Sequence, residues 1–213
     1  MDRKNLYRKL FTVVTPIAFQ YLMASMVTAS DAFVFGLTVL AAQYWGKGDK
    51  EAATEVLAIA MRYCLLMGLI FTLATAIVPD QIMRFFTDDP ILIEKGGIYL
   101  RTVSVSYFFT GFTQIYFGIM KVCDRAKLSS LIGSLAVVVN IVLNACLIFG
   151  LGVFPRMGIA GAALATVLAR LFETVVVLAA VAQKKCLPIK LTLLFGIRGG
   201  ELHADYWKYT LPL

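Results

Sequence analysis

Apolar runs recurring between short polar breaks constrain this chain more than any other feature of its sequence. They extend from about Val56 to Val78, Ile98 to Met120, Leu128 to Leu151 and Ile159 to Ala182. As helices, runs of this length reach about 30 Å, the thickness of a bilayer's hydrocarbon core. Hydrophobic residues make up 60% of the 213 and charged residues only 15%, with a mean hydropathy of +0.80. A soluble domain carries about a quarter charged residues. So much apolar surface has no single aqueous core to enter, so the chain is predicted to be an all-α, polytopic membrane helix bundle with the lipid bilayer as its partner. The net charge of +7 does not point to nucleic acid, because the basic residues are scattered through the connectors rather than gathered in a patch. Cys64, Cys123, Cys146 and Cys186 lack CxxC-type spacing, so no metal framework is expected. Nor is a cleavable leader, since the first apolar run is too long and lacks a small-residue cleavage pattern.

Lysine and arginine counts orient the spans. The head has Arg3, Lys4, Arg8 and Lys9, and "KVCDRAK" has Lys121, Arg125 and Lys127. The tail has Lys184, Lys185, Lys190, Arg198 and Lys208. All three read as inside, placing the N-terminus in the cytoplasm and the protein in an inner or plasma membrane. Residues 79–97, with an expected interfacial helix, set only Arg84 and Lys95 against Asp80, Asp88, Asp89 and Glu94, and read as outside with 152–158. The run from Leu10 to Trp45 does not fit this pattern. Head and "GKGDK" are both inside, which requires an even number of spans between them. Yet that run would make one helix of about 54 Å, too long for one span and too short for two with a turn. Either a tight re-entrant hairpin or loss of part of a second span would reconcile length and parity.

Three stretches, "LTVLAAQYWGKGDKEAA", "NIVLNACLIFG" and "GIAGAALATVLAR", in this order and spacing, resemble the multidrug and toxic-compound extrusion (MATE) transporters. The resemblance covers nearly the whole chain but only the first of the family's two six-helix lobes. It implies pseudo-symmetric bundles, alternating access, and export driven by inward flow of protons or sodium ions. In the family the first span ends with an aspartate and a Val-Gly-like turn, here "DAFVFG", and most of a second span precedes the "AQYWGKGD" stretch. The resemblance therefore implies an internal deletion at the join near 36–37. "YWKYTLPL" repeats the character of "LYRKLFTVVTPI", as the start of a second lobe would. The expected organisation is a helical lobe over 1–183, then a cytoplasmic linker and the start of a second lobe over 184–213, with the C-terminal lobe as a missing partner.

Asp31 is the first candidate site residue. A charge in hydrocarbon costs about 2.5 kcal/mol or more, so such residues usually face a cavity. Asp31 also lies about 31 Å beyond Leu10, which fits an aspartate at the outer end of the first span. By resemblance, it matches the first-helix aspartate implicated in cation coupling and substrate extrusion. Asn140 and Asn144 stand at i, i+4 on one helical face, and Thr166 lies at a similar depth on the next helix. The family places an ion- and substrate-binding cluster there, commonly with an aspartate where Asn144 stands. A two-carboxylate relay is thus put in doubt, while a sodium ion could be held by Asp31, Asn140, Asn144 and Thr166. Ordinary interhelical hydrogen bonding between buried amides explains the same pattern. Arg170 and Glu173, one turn apart, read as a structural ion pair. Gln20 and Gln114 read as satisfied amides, Pro16 as a kink, and Gly158, Gly161, Ala162, Ala165 and Ala169 as small residues for close helix approach. His203 receives no role.

"GKGD" also fits the GxGD pattern of intramembrane aspartyl proteases. Lys47, Lys50 and Glu51 put Asp49 at the water interface, however, and no serine–histidine pair or Walker-type loop accompanies it. No enzymatic activity and no cofactor are expected beyond a coupling ion, H+ or Na+. The expected function is a secondary active antiporter exporting cationic or amphipathic organic compounds, with this chain an incomplete fragment inactive alone. Two alternatives stand beside it: a lipid-linked oligosaccharide flippase of the same architecture, and a nonfunctional or dimerising half-transporter.

Overall fold

The computed structural model describes residues 31–151, 154–183 and 200–210, and every regular element among them is an α-helix. In chain order these are α1 (31–46), α2 (Lys50–Ile77), α3 (Pro79–Phe86), α4 (Pro90–Val122), α5 (Ala126–Phe149), α6 (Ile159–Ala182) and α7 (Gly200–Thr210).

No turn interrupts the chain at the join read near 36–37. α1 passes through Gly36 and Leu37 without a break, so the described part of the first apolar run contains no re-entrant hairpin. Leu37, Leu40 and Ala41, spaced three or four apart, bury one face of this helix. Gly36 leaves room for α7: a Cβ there would overlap the Thr210 hydroxyl. The chain reverses at Gly48, whose φ of +78° suits glycine, and Asp49 caps α2 by accepting from the Ala52 N–H at 3.0 Å. Asp49 of the "GKGD" stretch therefore acts as an exposed helix cap.

α4 departs most from expectation. It is 33 residues long, about 50 Å, and takes in "PILIEKGG" from the predicted connector. Pro90 at the first turn and Asp89, accepting from the Ile91 N–H at 2.9 Å, start it there. α3 is the short amphipathic helix expected before it, with Met83 and Asp80 lying against Gly96 and Gly97.

α2, α5 and α6 are long and apolar enough to cross a membrane. α4, which packs against both α2 and α6, is more polar and buries Ser104, Ser106, Thr110 and Thr113. A helix flanked by protein can carry hydroxyls that lipid would penalise, provided each finds an acceptor. Here they turn back on their own helix: Ser106 donates to the Val103 carbonyl at 2.6 Å and Thr110 to the Ser106 carbonyl at 2.9 Å. The main core lies where α1 and α2 meet the C-terminal half of α4, around Leu37, Val56, Met61, Ile115, Tyr116 and Ile119. α5 flanks α6 and leaves Leu131, Val138, Ile141 and Val142 exposed, the surface a bilayer or a further protein layer would cover.

Candidate ion- and substrate-binding site

α5 and α6 run antiparallel and very close, because Gly161 faces the Leu147 carbonyl, where a Cβ would stand only 2.6 Å from the oxygen. Asn140 and Asn144 lie 14 and 18 residues into α5, about 21 and 27 Å from its start. Thr166 lies 16 residues before the end of α6, about 24 Å, so all three occupy one level. The Asn144 Nδ2 donates to the Asn140 Oδ1 at 2.9 Å, and both residues are half-buried. Thr166 donates to the Ala162 carbonyl at 3.0 Å and shares a side-chain hydrogen bond with Tyr99 of α4. No hydrogen bond joins the amide pair to Thr166. The arrangement supplies neutral oxygen donors, the ligand type that hard cations prefer.

Asp31 begins the described part of α1, 15 residues or about 22 Å before that helix ends, a depth similar to that of Asn140, Asn144 and Thr166. It is exposed and has no hydrogen bond or ion pair among the described residues. Arg170 and Glu173 do pair, at 2.7 Å, with the glutamate side chain only 2% exposed and the arginine 34%. Gln114 is half-buried on α4. Pro16, Gln20 and Cys186 lie outside the described residues, as do 184–199 of the expected linker.

Arg62, Tyr107 and a cleft at the α3–α4 end escaped the sequence reading. Arg62 lies 12 residues into α2, about 18 Å from its start, and is half-buried. The rule that singled out Asp31, a charge inside an apolar run, applies equally to "AMRYCLL". Tyr107 of α4 is fully buried, and its hydroxyl has no hydrogen-bond partner among the described residues. It packs on Phe71 with ring centroids 6.1 Å apart and belongs to a small cluster with Tyr99, Val103 and Val167. No sequence signal separates these tyrosines from ordinary packing aromatics. At the α3–α4 end, an open cleft of about 580 Å3 mixes Asp80, Asp88 and Glu94 with Arg84 and Arg101.

The chain is 26% identical over 180 residues to the uncharacterized transporter YisQ of Bacillus subtilis (strain 168), covering 84% of this chain and 38% of that protein. A multidrug resistance MATE family transporter of the MOP superfamily, solved in its inward-facing conformation, superimposes with a TM-score of 0.82 at 22% identity. That alignment covers 95% of this chain and 45% of the other. A MOP superfamily transporter from Pyrococcus furiosus Vc1, described as having a binding pocket of reverse polarity that suggests a different function, gives 0.80 at 22% identity. It covers 98% of this chain and 48% of that one. At these identities the structural likenesses establish the fold alone. The chain spans less than half the length of each of these proteins. The MatE family model matches residues 12–146, most of the chain, and on that match this membrane protein belongs to the MatE family.

Proposed function

We propose that the chain serves as one lobe of a secondary antiporter that exports cationic or amphipathic organic compounds, driven by a proton or sodium gradient. The observation that carries this reading is the Asn140–Asn144 amide pair level with Thr166, on the α5–α6 flank of a MatE-family lobe. Asp31 is assigned the coupling charge, with the amide pair and Thr166 as oxygen donors to the ion or cargo. Glu173 neutralises Arg170 at 2.7 Å, which favours cationic over anionic cargo. The positive connectors after α1 and α4 support a cytoplasmic N-terminus in an inner or plasma membrane.

A second reading, a lipid-linked oligosaccharide flippase, gains one observation: Arg62 adds a basic group at membrane depth. Anionic cargo would need such groups unneutralised. A half-transporter that pairs with a second copy is the third reading.

Proteoliposomes carrying a proton or sodium gradient and a fluorescent organic cation test the first reading. The chain alone is expected to move no dye, and gradient-driven movement by it would refute the one-lobe assignment. Where the chain is joined to a second lobe, Asp31→Asn is expected to abolish efflux without blocking insertion. Normal efflux by that variant would refute the coupling role.

A further inference from the structure

The α1–α2 and α4–α5 connectors lie at the same end of the bundle, because Ala53 and Val56 at the start of α2 share a core with Met120 and Cys123 at the end of α4. This end exposes Lys47, Lys50, Lys121, Arg125 and Lys127 against the carboxylates of Asp49, Glu51 and Asp124. Among the described residues none of the five cations is ion-paired, the ion pairs there being Arg170–Glu173 and Lys208–Asp205. Asp49, between the two lysines in sequence, accepts from the Ala52 N–H at 3.0 Å through its Oδ1 and pairs with neither. Lys47 instead places its Nζ 5.8 Å from the ring centroid of Tyr44, and Lys50 its Nζ 5.8 Å from that of Trp45. Both rings are half-buried at the end of α1. Amphipathic tyrosine and tryptophan rings settle at the headgroup level of a bilayer. Two ammonium groups mounted on such rings, without carboxylate partners among the described residues, therefore stand where lipid phosphates lie.

We propose that this corner is a binding site for an anionic phospholipid, whose phosphate meets Lys47 and Lys50 while Tyr44 and Trp45 seat against the headgroup–acyl boundary. The lipid's negative charge supplies the partner that the described residues do not. The site lies beyond the proposed transport pathway and does not depend on it.

The chain has two tryptophans, so Trp207→Phe leaves Trp45 as the sole tryptophan, excited selectively at the red edge beyond tyrosine absorption. Quenching of Trp45 is compared in bilayers containing brominated phosphatidylglycerol or brominated phosphatidylcholine at equal mole fraction. Each lysine near a membrane surface favours anionic lipid by about five-fold, so a preference of roughly ten-fold or more for phosphatidylglycerol is expected. Lys47→Gln with Lys50→Gln should reduce it to within about two-fold of parity. Quenching by phosphatidylcholine should persist in that variant and show that the corner still sits in the bilayer. The Lys47→Arg, Lys50→Arg variant should keep the preference. Equal quenching by the two lipids in the parent overturns the proposal. So does a preference that survives the double glutamine substitution.

Discussion

The Arg170–Glu173 pair should respond asymmetrically to loss of its two members. Glu173 is 2% exposed, so its carboxylate is held in the protein interior and depends on Arg170 for compensation. Arg170 is 34% exposed, so its guanidinium keeps access to the bundle surface if Glu173 is removed. Breaking a buried pair so that a charge is stranded costs about 3–5 kcal/mol. Arg170→Met strands the buried carboxylate and should approach the lower end of that range. Glu173→Gln leaves a neutral amide beside a partly exposed cation and should cost about 1 kcal/mol, the scale of a part-solvated pair. For a chain of this size the difference of about 2 kcal/mol corresponds to roughly 4–8 °C in melting temperature. Cys64 and Cys123, 0% and 7% exposed, provide the readout: a maleimide dye that fluoresces on thiol reaction labels them as the bundle opens. Arg170→Met should therefore melt well below Glu173→Gln in the same detergent. Equal melting temperatures, or a larger loss for Glu173→Gln, would show that the carboxylate is not stranded and would refute the reasoning.

Two further outcomes follow from the helix contacts. Gly161→Val places a branched side chain where even a Cβ would stand 2.6 Å from the Leu147 carbonyl oxygen. It should separate α5 from α6 at a cost of about 1–3 kcal/mol, seen as a lower melting temperature, while Ala162→Val on the half-buried neighbouring position costs less. In a double-mutant cycle, the Asn140→Leu, Asn144→Leu double variant should cost less than the sum of the two single variants, with a coupling of about 0.5–1 kcal/mol from the 2.9 Å amide bond. Strict additivity would mean that the two amides act independently.

Much of this protein was legible without coordinates, since bilayer thickness and the expense of unpaired backbone groups leave few options for runs such as Leu128 to Leu151. The membrane bundle, the amphipathic helix after Val78, the shared face of Asn140 and Asn144, and the Arg170–Glu173 spacing all follow from local sequence and helical period. Non-local contacts decided the rest. Whether Gly36 marks a turn or a helical contact depends on Tyr206 and Thr210, far along the chain. The polar character of α4 makes sense only once α2 and α6 are seen to shield it from lipid. Tyr107, indistinguishable in sequence from any packing aromatic, acquires interest because its described neighbours give the hydroxyl no partner. The sequence by itself determined the solvent, the helices and their periodic faces, because those depend on composition and spacing along one chain segment. Which residues share a level, which charges are compensated and which small residues permit contact were left to the tertiary structure, because each depends on atoms brought together from distant segments.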